Sequence, residues 1–161
     1  MINTGWATGF PPKARGNDRQ QGFKKHSLRR VRGSMTENEI AQIIVDVAYK
    51  IHVQYEPGLL ESAYQALMVY ELRKRGLKVE DEKPVLLVHD GIEMGVGYRA
   101  DLIVEDKVIV ELKSVEEVPK VHKKQLKTYL KLADLRLGLL INFGAMLIKD
   151  GISRVANGMP E

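Results

Sequence analysis

Asp101, Glu111 and Lys113 stand in a D-x9-E-x-K spacing across Tyr98-Arg-Ala-Asp101 and Val110-Glu-Leu-Lys113. Two carboxylates and a lysine are sufficient for metal-assisted attack on a phosphate. Acidic groups brought together on a sheet repel one another, and an oxygen-preferring divalent cation is the commonest reason for a protein to tolerate them. The lysine adds positive charge beside the reacting group. Register decides whether the three can meet, because side chains alternate along a strand with a period of two. With Asp101 opposite Glu111, one face carries Leu102, Val104, Val108, Val110 and Leu112; the other carries Asp101, Ile103, Ile109, Glu111 and Lys113. The first face is wholly apolar and the second holds the chemistry. A two-residue turn at Glu105-Asp106 would scatter the aliphatic residues and separate the carboxylates. The pattern therefore predicts a three-residue connection or a bulge at Glu105 to Lys107. A charged hairpin with a solvated face is the ordinary alternative.

Several elements must position that hairpin. Thr36 and Glu39 make a Thr-x-x-Glu capping box, followed by Ile40, Ile43, Ile44, Val47, Ala48 and Ile51 at helical spacing, so a first helix is predicted from about Glu37 to about Gln54. Pro57-Gly58 breaks it. A second helix is predicted from about Leu59 to about Arg75, with Leu60, Ala63, Tyr64, Leu67 and Glu71 down one side and Gly76 as its stop. Extended segments follow at Leu77 to Val88, Ile92 to Val104 and Val108 to Lys113, the first two joined by an Asp90-Gly91 hairpin turn. Pro119 opens a third helix reaching about Leu132, Leu137 to Asn142 reads as a buried strand, and Ala145 to Arg154 as a short hairpin around Lys149-Asp150-Gly151. The order predicts an α/β sandwich with a mixed central sheet flanked by helices.

Composition narrows the chemistry. The 161 residues fit one domain with a real core. With no cysteine and four scattered histidines, thiolate zinc sites are excluded and any metal should be held by oxygen. No apolar run is long enough to span a bilayer, so a soluble, cytoplasmic protein without a membrane partner is expected. The net charge of +4 is divided: residues 1–34 hold eight basic residues and Asp18, for +7, while the rest holds seventeen basic and twenty acidic residues, for −3. The glycine- and proline-bearing segment 1–34 reads as a disordered basic extension. An upstream in-frame translation or an expression leader accounts for it, with a targeting peptide or a nucleic-acid-binding arm as lesser readings; the domain is expected over 35–161.

Three further features point toward the hairpin. Glu61 and Tyr64 are i, i+3 neighbours near the start of the second helix. Gln125 and Tyr129 are i, i+4 neighbours on the third, where Gln125 interrupts an apolar line and calls for a buried partner. Lys120, Lys123, Lys124, Lys127 and Lys131 fall largely on one side of that helix, suited to a phosphate backbone. Singly, each has a bland reading: a solvated glutamate, core tyrosines, an exposed glutamine, a lysine stripe that keeps the surface soluble. Their joint order is harder to dismiss.

Gly58-Leu-Leu-Glu61-Ser-Ala-Tyr64, with Tyr98-Arg-Ala-Asp101, Val110-Glu-Leu-Lys113, Gln125-Leu-Lys-Thr-Tyr129 and Leu140-Ile-Asn-Phe143, resembles the GxxExxY proteins of the PD-(D/E)XK nuclease superfamily. The resemblance covers about Thr36 to about Asn157 and implies a restriction-endonuclease-like three-layer sandwich. It implies a nuclease dependent on Mg²⁺ or Mn²⁺, with Asp101, Glu111, Lys113, Gln125 and Tyr129 catalytic. Glu61, Asp101, Glu111 and the Leu112 carbonyl are then the expected metal ligands. Tyr64, Arg99, Lys120, Lys123, Lys124 and Lys127 are the expected substrate contacts. Ala100 stands where the motif has proline. The expected partner is nucleic acid, DNA before RNA, with a second copy or another protein supplying surface that a small domain of charge −3 lacks. A non-catalytic binding or protein-interaction module on the same fold is the competing expectation.

Overall fold

The computed structural model describes residues 34–159, so the extension expected over 1–34 lies outside the described residues except for Ser34. The capping box forms: the Glu39 amide donates to Thr36 Oγ1 at 3.3 Å, and the Thr36 amide donates to Glu39 Oε2 at 2.8 Å. Such a cap is worth about 1 kcal/mol. It starts α1 (Glu37–Tyr55), which buries Ile40, Ile44, Val47, Ala48 and Ile51. α2 (Glu61–Lys74) ends in a Schellman motif, with the Leu77 amide on the Leu72 carbonyl at 3.2 Å and the Gly76 amide on Arg73 at 2.9 Å. The face of α2 differs from the expected one. Leu60 is exposed and the buried residues are Tyr64, Met68, Val69 and Leu72, because the helix docks on its i, i+4 row 64, 68, 72.

β1 (Val79–His89), β2 (Ile92–Val104), β3 (Val108–Lys113), β4 (Leu137–Asn142) and β5 (Ile152–Ala156) form one sheet in sequence order, antiparallel except between β3 and β4. The parallel crossover runs through α3 (Val121–Leu132). Asp90 and Gly91, at φ 51° and 76°, turn β1 into β2 as the dipeptide predicts. Between β2 and β3 lie Glu105, Asp106 and Lys107, and Leu102 pairs with Val110, Ile103 with Ile109 and Val104 with Val108. This is the connection and register that the hydrophobic pattern requires.

The last segment is a correction. Ala145 to Arg154 is not a hairpin. A single helical turn, α4 (Ile148–Gly151), buries Ile148, and β5 returns along β4 with Ile152 opposite Ile141. Every residue of β4 is buried, and a closed local hairpin would have left its outer peptide groups buried without partners.

The result is three layers. Leu102, Val104, Val108, Val110, Leu112, Leu139 and Ile141 pack against α1 and α2. Ala100, Ile103, Ile109 and Leu140 pack against Leu126 and Leu130 of α3. Among the described residues no helix is long and apolar enough to cross a membrane.

Candidate active site

Asp101 sits where two strands change face together. Val79 on β1 and Leu102 on β2 belong to the α1/α2 side, whereas Val85, Tyr98 and Ala100 belong to the α3 side. Strict alternation would keep Val79 and Val85 together. The switch falls at Glu82 and Asp101, where Glu82 adopts φ 52° and the β1–β2 ladder passes from Asp81–Leu102 to Lys83–Ala100. A bend of this kind re-aims side chains next to a site. Beyond it the β2–β3 ladder ends, and Asp101 Oδ2 accepts the Leu112 amide proton at 2.7 Å. In an antiparallel pair the amide and carbonyl of one residue point to the same side, so the Leu112 carbonyl also faces Asp101.

Glu61 reaches the sheet through the α1–α2 loop, and the Gly-x-x-Glu-x-x-Tyr spacing shows how. Gly58 takes φ 136°, a conformation glycine supplies without strain. The Tyr64 hydroxyl, on the next turn of α2, donates to the Glu56 carbonyl and accepts from the Leu59 amide, while its ring stacks on Phe143 at 4.3 Å. Ser114 Oγ donates to the Leu59 carbonyl at 2.9 Å and ties the loop to the end of β3. Glu61 is thereby held with Oε1 3.6 Å from Lys113 Nζ. On the opposite side Asn142, buried at the end of β4, donates to the Val115 carbonyl at 2.8 Å and accepts from the Val115 and Gly144 amides at 3.0 Å. A Cβ on Gly144 would stand 2.1 Å from the Val115 carbonyl oxygen, so only glycine lets the two chains approach.

Electrostatics mark Glu111. Burial foremost, then the charge of Asp101, pushes its carboxyl up to about 8 against the opposing pull of Lys113. Burial also raises Asp101, with the Leu112 N–H and Lys113 pulling it down and Glu61 and Glu82 pushing it up. Glu111 Oε1 is buried with no hydrogen-bond partner among the described residues. Tyr129 is raised by burial and by Glu111. Glu111, Lys113, Gln125, Tyr129, Leu140 and His122 line one pocket of about 110 Å³.

The sequence-predicted residues thus divide. Glu111, Lys113, Gln125 and Tyr129 share the pocket, and Asp101 and Glu61 join it through Leu112 and Lys113. Gln125 does not find the buried partner its position called for; it is exposed and meets His122 Nδ1 at 3.0 Å, one turn back on the same helix. Tyr64, expected to touch substrate, is wholly buried with its hydroxyl bonded to backbone, and it serves as the pin of the loop. Arg99 lies on β2 beside the bend and donates to the Glu82 carbonyl at 3.3 Å. Lys127 donates to the Ala156 carbonyl of β5, and Lys123 lines a separate surface hollow with Asp150 and Ser153. By helical spacing Lys120 and Lys124 follow them, so the lysine stripe lies on the flank of α3 away from His122, Gln125 and Tyr129. His122 was missed. Its signal was present, since 122, 125 and 129 recur at i, i+3 and i+7.

A mixed five-stranded sheet between helix layers, with an acid-acid-lysine set at the open end of β2 and β3, defines a nuclease-like protein. Residues 38–155 match the family model of the PD-(D/E)XK nuclease superfamily, and the chain belongs to that superfamily. No curated protein and no solved structure shows a significant match. Members of this superfamily generally use divalent metals and act on nucleic acid. The donor chemistry fits such an ion: Asp101 and Glu111 are neighbouring carboxylates, and Glu111 Oε1 is buried with no hydrogen-bond partner among the described residues. Among the described residues no three acidic or histidine side chains are gathered into a complete ligand set. Asp101 is engaged by the Leu112 amide, and Glu61 is paired with Lys113.

Proposed function

We propose that this chain is a Mg²⁺- or Mn²⁺-dependent nuclease of the GxxExxY type that hydrolyses phosphodiester bonds, with DNA as the first substrate to test and RNA as the second. The observation that carries the reading is the buried, partnerless Oε1 of Glu111 beside Asp101, in a pocket that also holds Lys113. Asp101, Glu111 and the Leu112 carbonyl would hold the ion, and Glu61 would join them on release from Lys113. A bound divalent ion lowers the pKa of a coordinated water and shields charge on the phosphate.

The residues of the chain do the rest. Lys113 offers three donors on a flexible stem, suited to orienting the attacking water and neutralising a non-bridging oxygen as charge develops. Glu61, 3.6 Å from its ammonium, holds that stem over the pocket before substrate arrives. Tyr129, stacked on Tyr98 with ring centroids 3.8 Å apart, forms a rigid wall and keeps its own ring fixed. We place this activity in the cytoplasm, within a domain spanning 35–161 to which residues 1–34 contribute nothing essential. A second copy or another protein would supply further substrate surface.

A second reading is a non-catalytic nucleic-acid-binding or protein-interaction module; the charge of −3 over residues 35–161, which gives no long-range attraction to a phosphate backbone, and the position of the lysine stripe away from the pocket favour its protein-interaction form. One experiment separates the two. Purified protein is incubated with single-stranded, duplex and branched DNA and with RNA, in Mg²⁺ and in Mn²⁺, alongside Lys113→Met. Metal-dependent cleavage lost in the variant supports the nuclease; no turnover on any substrate with either ion supports the module.

A further inference from the structure

We infer that His122, which lies outside the acid-acid-lysine set, is a positioning residue of this pocket: it fixes the Gln125 carboxamide so that the amide NH2 is the group offered to an incoming phosphate. The substrate in this statement rests on the nuclease reading; the geometry does not.

His122, Gln125 and Tyr129 form one stripe along α3 and line the pocket across from Glu111 and Lys113. His122 Nδ1 lies 3.0 Å from Gln125 Oε1. An amide oxygen only accepts, so the proton of this contact is on Nδ1, and in the neutral ring Nε2 is left as the acceptor. With Oε1 committed to the imidazole, the remaining hydrogen-bonding group of Gln125 is its NH2, which carries two donors. Phosphate oxygens only accept. A carboxamide turned the other way would present oxygen to oxygen, in a pocket that the Glu111 carboxyl also lines. Gln125 is otherwise exposed at the rim, and among the described residues His122 is the hydrogen-bond partner of its side chain. The imidazole therefore turns an ambivalent headgroup into a dedicated donor. Lys113 approaches the same volume from β3, so the two donors reach a bound phosphate from opposite walls.

The contact is tested without substrate by NMR on ¹⁵N-labelled protein. Long-range ¹H–¹⁵N correlations of the neutral His122 ring are expected to show the proton on Nδ1. The Gln125 side-chain amide signals are expected to move to free-carboxamide positions in His122→Ala. An Nε2–H ring, or Gln125 signals unmoved by the variant, overturns the inference whether or not the protein cleaves anything. Its consequence is tested with labelled single-stranded and duplex oligodeoxynucleotides in Mn²⁺. His122→Ala and Gln125→Ala should each lower kcat/KM about tenfold, the size of one neutral hydrogen bond, with melting temperature unchanged. The double variant should be no worse than the poorer single one, because one residue acts through the other. His122→Asn, which keeps an N–H close to the Nδ1 position, should recover most of the rate. Multiplicative losses, or an undiminished rate in His122→Ala, overturn the positioning role. Absence of wild-type cleavage would sink the nuclease reading and leave the ring tautomer to decide the contact.

Discussion

The two faces of β3 are made from alternate residues of one short strand, and they are put to opposite uses. Val108, Val110 and Leu112 are completely buried against α1 and α2. Ile109, Glu111 and Lys113 face α3, and along that face the surroundings change from an aliphatic core at Ile109 to a carboxylate with an unpaired oxygen and then a lysine. The α1/α2 layer covers the strand to its end, whereas on the α3 side a small pocket opens over Glu111. The first face contributes stability, and the second spends some of it by keeping two carboxyl groups close together in a poorly solvated place. Rigidity from one side is what permits the crowding on the other.

Adjacent substitutions break the comparison most sharply. Lys113→Met keeps much of the stem and removes the charge. Cleavage should fall about 10²- to 10³-fold, as for loss of one transition-state donor, while affinity and melting temperature change little. Leu112→Ala should do the reverse, costing about 2 to 5 kcal/mol in denaturant unfolding because its side chain is wholly buried in the α1/α2 core. A Lys113 variant that loses stability as the leucine variant does would mean that both faces are structural.

Metal binding sharpens the same contrast. An ion that binds only the folded state adds about 2.7 kcal/mol at 100 times its dissociation constant, read as a rise in melting temperature with Mg²⁺ or Mn²⁺. Asp101→Asn should shrink or abolish that rise; an equal rise in both proteins places the ion elsewhere.

Without metal, Glu111 should make the fold sensitive to base. Its folded pKa of about 8 lies above the ordinary carboxylate value of 4.5, so the folded state retains a proton that the unfolded chain releases. Stability therefore falls as pH rises between those values. Glu111→Gln removes this slope and should raise metal-free stability at pH 8 by roughly 4 kcal/mol, the size of that shift at about 1.4 kcal/mol per unit, while abolishing cleavage. Urea melts at pH 5 and pH 8 check it. A wild-type curve flat over that range would show that Glu111 is ionised throughout.

The register of β2 on β3 was legible because only one alignment sorts five aliphatic residues onto one face, and burial enforces such a pattern. The bend at Glu82 and Asp101 was not, since a change of face looks like noise in an alternating strand. Of β5 the extended arm from Ile152 to Arg154 was legible but its partner was not, because so short a pattern does not say which strand it joins, and the open edge of β4 decides. On α3 the periodicity showed a lysine side and a glutamine-tyrosine side, but docking of Leu126 and Leu130 decides which flank borders the pocket. That choice set His122 beside Glu111 and moved the lysines toward β5. Tyr64 was misread because a motif spacing shows which residues belong together and not which of them faces outward.

Tyr64→Phe supplies the mildest test, and it asks whether the covered face merely supports the open one or also tunes it. The ring and its stack on Phe143 remain, so the loss is confined to the hydroxyl that bonds the Glu56 carbonyl and the Leu59 amide. A buried hydrogen-bonding group of this kind contributes about 1 kcal/mol, a small shift in melting temperature. The larger consequence is positional. With the hydroxyl gone, the loop before Glu61 keeps the Ser114 bond to the Leu59 carbonyl, and Glu61 keeps its pairing with Lys113. Cleavage should then fall by more than the stability loss, with kcat affected more than KM, because a wandering Glu61 leaves the Lys113 stem unguided. Tyr64→Phe combined with Glu61→Gln should be no worse than Glu61→Gln alone if the hydroxyl acts only by placing that carboxylate. Additive losses would show that Tyr64 steadies the site by another route, through Phe143 and the end of β4.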